Sequence, residues 1–345
     1  FAVAAVASWL VAPLTFGTAL ILGAVVAPPD AVTAVAVGRK LGLPKRVMAI
    51  LTGESLVNDA AALTLFSIAV AQVAGTQAFI ANPVLLFGYS AVIGPLVGAA
   101  LGYATLWIRK RLDNPGLETV QGLLVPFAAF MCAEHLHASG VLAVVVAGFV
   151  VGHGTLSAGY QTRLQERYVW NSVDVLLEAF VFAYIGLHLR FVLEDLHEAH
   201  ESLVLVGIAA LIVLAVVLVM RPAWVFVMFG RGLLFRHVER TLTAPAPPRA
   251  RSALGALRRR SAALGQPWLC WRENAVVSWT GMRGVVSLAA ASGIPLTTST
   301  GEEFPERATI QAIAFVVSVG TLLLQGGTLP WLIRRLGLSD EQDAA

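Results

Sequence analysis

The sequence predicts an all-α membrane protein that crosses the bilayer many times. Hydrophobic residues make up 57% of the 345 residues, charged residues make up only 13%, and the mean hydropathy is +0.76. A soluble domain of average composition carries about 25% charged residues. The charges are also clustered, and the apolar runs between the clusters are long enough for membrane-spanning helices. The composition therefore indicates a polytopic helical membrane protein.

About ten apolar spans follow one another between charged and Gly/Pro-rich segments. They cover residues 1–12, 15–38, 46–74, 83–108, 117–137, 139–153, 170–190, 202–229, 273–296 and 307–333. The first span is shorter than the roughly 20 residues that a membrane-crossing helix needs, and the chain begins with Phe1. We therefore expect residues 1–345 to form a single membrane domain that is truncated at its N-terminus.

Lysine and arginine are distributed unevenly between alternate loops, which predicts the orientation of the chain. One set of loops holds 20 of the 24 lysine and arginine residues, including nine arginines between 231 and 272, whereas the other set holds Arg190 and Arg307. The basic loop at 231–272 and the C-terminus are therefore expected in the cytoplasm. No aromatic residue interleaves the basic run at 243–267, so we expect the lipid bilayer as a partner and no nucleic acid.

The stretch GESLVNDAAALTLF at residues 53–66 keeps polar side chains inside an apolar span. Burying an ionised carboxylate in a bilayer costs about 3 kcal/mol on insertion scales, so such residues usually serve a function. Glu54 and Asn58 are four residues apart, and Ser55 and Asp59 have the same spacing. Residues at this spacing share one side of a helix. Oxygen ligands of this kind suit small cations that have lost part of their water.

Two prolines interrupt the second span, where Asp30 directly follows Pro28 and Pro29. Prolines remove backbone donors and break a helix. A broken helix within a membrane is tolerated where protein or an aqueous cavity satisfies the freed backbone groups. An acidic residue beside unwound carbonyls is a common way to build a cation site in transporters. The second span therefore predicts part of such a site.

The ninth span contains SWTGMRGVVSLAAA, in which Arg283 lies between Gly281 and Gly284. The glycines permit close approach of the backbone or local unwinding. Arg283 needs an anionic partner, and Glu54 and Asp30 are both candidates. By the loop count, the second and ninth spans run in opposite directions. Two interrupted helices in corresponding places of two halves predict an inverted repeat.

These motifs resemble those of a known family. PPDAV at 28–32, GESLVND at 53–59 and GMRGVVSLA at 281–289 occur in the order and at the separation seen in bacterial NhaP-type monovalent cation/proton antiporters, which are kin to animal sodium/hydrogen exchangers. The IGL at 185–187, which ends an apolar helix, fits as well. The resemblance covers essentially the whole chain.

The resemblance implies roles for four residues of these motifs. Asp59 would bind either the cation or the proton, and Ser55 and Asp30 would help to coordinate the transported monovalent cation. Asn58 takes the place where electrogenic relatives carry a second aspartate, so the exchange would be electroneutral. The chain departs from many relatives by carrying Pro29 where they have a threonine, which removes one side-chain oxygen.

The resemblance also implies an architecture and an activity. The fold would be an inverted-repeat antiporter fold with two interrupted crossing helices, in which Glu54 pairs with Arg283. The protein would be a transporter rather than an enzyme. It would exchange Na⁺, or K⁺ or Li⁺, for H⁺ across a bacterial-type plasma membrane, without a cofactor. The full-length protein would be a homodimer.

Two other function classes compete with this interpretation. An intramembrane aspartyl protease needs two cooperating aspartates, and Asp30 with Asp59 would nominally serve. The Tyr-Asp and Gly-Leu-Gly-Asp contexts of such proteases are absent, and Arg283 would then have no role. A cation channel is the second alternative, and obligatory coupling of the two ion fluxes distinguishes an exchanger from it.

Overall fold

The structure, a computed structural model, describes residues 1–11, 14–76, 80, 82–112, 114–154, 159–198, 203–242 and 269–338. Its helices are α1 (Ala2–Leu10), α2 (Phe16–Val25), α3 (Ala31–Lys40), α4 (Lys45–Val73), α5 (Pro83–Arg109), α6 (Pro115–His135), α7 (Gly140–Gly154), α8 (Tyr160–Glu198), α9 (Leu203–Leu242), α10 (Trp271–Trp279), α11 (Val285–Ser292), α12 (Arg307–Thr321) and α13 (Gly327–Leu336). A π-helical turn at Leu322–Gly326 joins α12 to α13. The described part of the chain holds no strand beyond an isolated bridge between Thr297 and Glu303. The all-α prediction is confirmed.

The helices follow the predicted spans, and the two interrupted spans are confirmed. Span 15–38 is divided into α2 and α3, and span 273–296 is divided into α10 and α11. Among the described residues, five helical stretches are long and apolar enough to cross a membrane: Lys45–Val73, Val84–Arg109, Pro115–His135, Leu203–Val227 and Arg307–Leu336. The chain is therefore an integral membrane protein.

Two helices extend beyond the predicted spans. Helix α8 begins at Tyr160, ten residues before the predicted start, because its first turns are polar and lie outside any apolar window. Helix α9 continues to Leu242, into the region predicted as a basic loop. Residues 233–242 contain neither glycine nor proline, and the next proline is Pro245, so nothing local ends the helix earlier. Residues 243–268 of the predicted loop lie outside the described residues.

The chain forms two compact units, the first of which consists of Phe1–Asp30, Gly53–Leu214 and Arg283–Val319. Within it α5 packs tightly against α7. A Cβ atom on Gly98 would overlap with the carbonyl oxygen of Ala143, so this pair of helices approaches to backbone contact. Small residues permit such packing between membrane helices.

The second unit consists of Ala31–Thr52, Ala215–Met282 and Gly320–Ala345. Its apolar core combines the first turns of α4 with α10 and α13, through buried residues that include Val47, Leu51, Val276, Leu329 and Ile333. Within this unit α9 also contacts the last turn of α10, where Nε of Arg221 donates a hydrogen bond of 3.3 Å to the Val277 carbonyl. A cation at the carbonyl end of a helix is electrostatically favourable.

Candidate functional site

The break between α2 and α3 covers Val26 to Asp30 and exposes backbone carbonyls inside the protein. Because Pro28 and Pro29 have no N–H group, the helical hydrogen bonds cannot continue through them. Side chains from two other elements donate hydrogen bonds to carbonyls of this break. Nε of Arg283 donates a 2.5 Å hydrogen bond to the Val26 carbonyl, and Oγ of Ser55 donates one of 2.5 Å to the Pro29 carbonyl.

Helix α4 presents its polar residues in the register that the sequence predicts. Ser55 is buried, with 4% of its surface exposed, and it fixes α4 against the break of α2. Nδ2 of Asn58 lies 3.5 Å from Oε1 of Glu54, one turn away on the same side of the helix. Asp59 is half-buried, and its buried Oδ1 atom has no hydrogen-bond partner among the described residues. One oxygen of this carboxylate is therefore available to a ligand.

The break between α10 and α11 brings Arg283 to the end of α2. Arg283 is 7% exposed, and its guanidinium donates a hydrogen bond to the carbonyl of Val26, the C-cap residue of α2. The C-terminal end of a helix carries partial negative charge, so the guanidinium is favourably placed there. The hydrogen bond links the two interrupted helices directly.

Gly284 leaves room for the negatively charged carboxylate of Asp30 at the start of α11. It is the N-cap residue of α11, and a Cβ atom on it would overlap with the carboxylate of Asp30. The Asp30 carboxylate therefore occupies the place that the side chain of an N-cap residue normally takes. An anion is favoured there because the first N–H groups of a helix are unpaired and carry partial positive charge.

The four residues that carry the predicted chemistry all lie in the first unit. The Asp59 carboxylate interacts with the charges of Asp30 and Arg283 and with the side chain of Ser55. Two carboxylates beside one guanidinium leave negative charge that a proton or a monovalent cation neutralises. Hydroxyl, carboxylate and carbonyl oxygens are ligands of the type that alkali cations prefer.

The ion pair between Glu54 and Arg283 stays a prediction. The described contact of the Glu54 carboxylate is with Asn58, and that of the Arg283 guanidinium is with the Val26 carbonyl. From the sequence we expected a carboxylate partner for Arg283 and missed this carbonyl. The two prolines after Val26 were the available signal, because they predict a helix end with unpaired carbonyls.

A cavity of about 710 Å³ adjoins the site along α4. Leu63 and Thr64, about one turn beyond Asp59, form part of its wall, and Val286 and Ala289 of α11 form another part. Thr64 also shares a 2.9 Å hydrogen bond with the hydroxyl of Ser139, which precedes α7. No sequence pattern marks this cavity, because its lining comes from several helices that are distant in the chain.

Comparison with known proteins places the chain in a family. Residues 1–335 match the family described as sodium/hydrogen exchanger, transmembrane. An uncharacterized Na⁺/H⁺ exchanger of Mycobacterium tuberculosis is 33% identical over 285 residues, which are 81% of this chain and 48% of that protein. The Na⁺/H⁺ antiporter NhaH of Halobacillus aidingensis is 29% identical over 292 residues, which are 83% of this chain and 60% of that protein.

A third relative and a solved structure agree with this family. The low-affinity Na⁺/H⁺ antiporter NhaS1 of Synechocystis is 30% identical over 293 residues, covering 84% of this chain and 48% of that protein. The chain thus spans about half the length of the curated relatives it matches. The structure of the sodium proton antiporter MjNhaP1 from Methanocaldococcus jannaschii matches with a TM-score of 0.66 and 17% identity, over 97% of this chain and 75% of that chain.

The comparisons support neither the protease nor the channel alternative, since the named relatives are exchangers and antiporters, which are transporters. The structural match independently supports the polytopic, all-α antiporter fold. The chain belongs to the transmembrane sodium/hydrogen exchanger family.

Proposed function

We propose that the protein exchanges a monovalent cation for a proton across the membrane, and that Asp59 holds the two ions in turn. The observation that carries this proposal is the Asp59 Oδ1 atom, which is buried and without a hydrogen-bond partner in the described part of the chain. It lies on a membrane-length helix among Ser55, Asp30 and Arg283. An acidic oxygen in this setting needs either a proton or a cation.

Competition for one carboxylate produces the coupling. Asp59 binds a proton or a cation, but not both together. Carrying an ionised, empty carboxylate through a low-dielectric barrier is costly, so only the loaded forms cross. Exchange then follows without any further gate. Na⁺ is the cation that the relatives' names support, and oxygen ligands also serve K⁺ and Li⁺.

The remaining polar residues have supporting roles in this proposal. Ser55 and Asp30 complete the coordination of the cation, together with backbone carbonyls of the break. Asn58 is neutral, and Glu54 is compensated by Arg283. The unit that crosses therefore carries the same charge with either ion, which makes one-for-one exchange electroneutral. No step of this cycle requires a cofactor.

The setting of the protein is also inferred. The strong bias of lysine and arginine toward one set of loops supports a cytoplasmic C-terminus in a bacterial-type plasma membrane. The resemblance to NhaP-type antiporters supports a homodimer of the full-length protein. We infer that the cavity beyond Thr64 is one of the routes by which ions reach Asp59.

The test is dissipation of a pH gradient in proteoliposomes that contain the full-length protein. Addition of Na⁺, K⁺ or Li⁺ to wild-type vesicles should collapse an imposed gradient, whereas vesicles with Asp59→Asn should keep it. Glu302→Gln is the matched control, because it neutralises an exposed carboxylate in the segment between α11 and α12. Coupled exchange by Asp59→Asn at the wild-type rate would contradict the proposal.

A further inference from the structure

The first turn of α11 contains a buried hydroxyl that the proposed exchange cycle does not yet use. Ser287 has no exposed surface, and its Oγ atom has no hydrogen-bond partner among the residues that the structure describes. Burying a hydroxyl without a hydrogen bond costs about 1–3 kcal/mol. A buried polar atom of this kind points to a ligand or an ordered water.

Two other serines on the second interrupted helix, Ser278 which is buried and Ser292 which is partly buried, bond to the carbonyl one turn earlier. Ser292 donates to the Leu288 carbonyl at 2.9 Å, and Ser278 donates to the Asn274 carbonyl at 2.6 Å. Serine in a helix commonly forms this bond. Ser287 is the exception for a structural reason. The first intrahelical bond of α11 runs from Leu288 N to the Gly284 carbonyl, so the residue four positions before Ser287 lies outside the helix.

The position of Ser287 in α11 places it beside Asp30. Gly284 is the N-cap residue, and Ser287 is the third residue of the helix. The side chain of an N-cap residue normally reaches the backbone N–H of this third residue. Because the Asp30 carboxylate occupies the N-cap side-chain place, it lies next to the turn that carries Ser287.

Ser287 also faces the correct side of the helix. The residues of α11 that line the 710 Å³ cavity are Val285, Val286, Ala289 and Ala290. Ser287 does not line this cavity, and its three-residue spacing from Gly284 puts the two on neighbouring positions of one face. This is the face that contacts Asp30 through Gly284. Ser287 therefore lies on the face of α11 that carries Gly284, and this face is not the one that lines the cavity.

We propose that the hydroxyl oxygen of Ser287 is a further ligand of the transported cation, on the side of the site formed by Asp30. The inference rests on the proposed exchange function and adds a residue from the second interrupted helix to its site. Both interrupted helices then supply side-chain oxygens to one cation, together with Ser55 and Asp59 of α4. Binding of the cation would supply the partner that a buried hydroxyl requires.

The experiment measures the cation concentration for half-maximal exchange by the full-length protein in proteoliposomes. Ser287→Ala should raise this concentration roughly tenfold, which is the loss expected for one ligand, and leave the maximal rate within about twofold. Ser287→Cys should behave like Ser287→Ala, because it keeps the shape of the side chain but replaces the oxygen by sulfur, which is larger and a poor ligand for alkali cations. Ser292→Ala, on the same helix, should match the wild type.

A second readout separates cation binding from transport. Na⁺ or Li⁺ should raise the thermal unfolding midpoint of the wild type more than that of Ser287→Ala at the same concentration. The inference would be overturned if Ser287→Ala kept the wild-type half-maximal cation concentration and the wild-type thermal stabilisation by cation. The proposed exchange function would not be affected by that result, because Asp59→Asn tests it separately. A fall in maximal rate and stability without a change in cation dependence would also overturn the inference, because a structural role alone predicts that pattern. A wild type that neither exchanges cations nor is stabilised by them would overturn the proposed function itself.

Discussion

Arg283 and Val26 are 257 positions apart in the chain, and Nε of Arg283 donates a hydrogen bond of 2.5 Å to the Val26 carbonyl. The bond joins the C-terminal end of α2 to the break that precedes α11. It satisfies a backbone carbonyl at the C-terminal end of α2, where intrahelical donors run out, and it places a positive charge at the negative end of a helix. This contact connects the two interrupted helices around the site.

Replacing this arginine should impair both the site and the fold. Arg283→Gln leaves the Val26 carbonyl without its charged donor, and an unpaired buried group costs about 1–3 kcal/mol. We expect a lower thermal unfolding midpoint and loss of most cation exchange. Arg307→Gln is the control, since Nε of Arg307 also donates a hydrogen bond to a backbone carbonyl, that of Ile294, at 3.2 Å. Exchange by Arg283→Gln as fast as by Arg307→Gln would contradict a role in the site.

Gly284 should be sensitive to the smallest possible side chain. Gly284→Ala would drive a methyl group into the Asp30 carboxylate, so Asp30 would have to leave the start of α11. We expect the cation concentration for half-maximal exchange to rise, because Asp30 is a proposed ligand. Gly148→Ala provides the control, since no heavy atom of the described residues lies within 4 Å of the place that its methyl group would take. Equal cation dependence in the two variants would show that the Asp30 position is unimportant.

Asn58 should determine the electrical character of the exchange. Asn58→Asp adds a second carboxylate that can take a proton, so the unit would cross with two protons or with one cation, and its charge would differ between the two loaded forms. Exchange by this variant should respond to a membrane potential imposed with valinomycin and K⁺, whereas wild-type exchange should not. Asn114→Asp is a suitable control, because Asn114 caps α6 and aspartate caps a helix equally well. A strong response of the wild type to the potential would contradict electroneutral exchange.

The interrupted helices were predictable because their signals are local. Pro28 and Pro29 break the second span whatever surrounds them, and Gly281 and Gly284 flank the second break. The four-residue spacings in α4 likewise follow from helix geometry alone. The helix assignments and the placement of Ser55 and Asp59 on one side of α4 could therefore be predicted from local signals, whereas the grouping of Asp30 with them was implied by the resemblance to NhaP-type antiporters.

The remaining features depend on long-range packing. The acceptor of Arg283 is a backbone carbonyl, which no side-chain pattern marks. The first turns of α8 are polar, so a hydropathy window places its start too late. The buried hydroxyl of Ser287 looks like an ordinary helical serine until the start of α11 is known. In each case the missing information was the end of a helix or the identity of a distant neighbour.

The contact between α5 and α7 permits a stability test that leaves the site untouched. Gly98 and Gly88 both lie inside α5, so alanine improves helix propensity by about 1 kcal/mol at either position. A methyl group at Gly98 would overlap with the Ala143 carbonyl, whereas no heavy atom of the described chain lies within 4 Å of one at Gly88. Overpacking costs about 1–3 kcal/mol, and backbone atoms cannot move aside as a flexible side chain does. Gly98→Ala should therefore lower the thermal unfolding midpoint in detergent, and Gly88→Ala should leave it unchanged or raise it. Equal midpoints would mean that the two helices separate readily, and the close approach would then contribute little to the stability of the first unit.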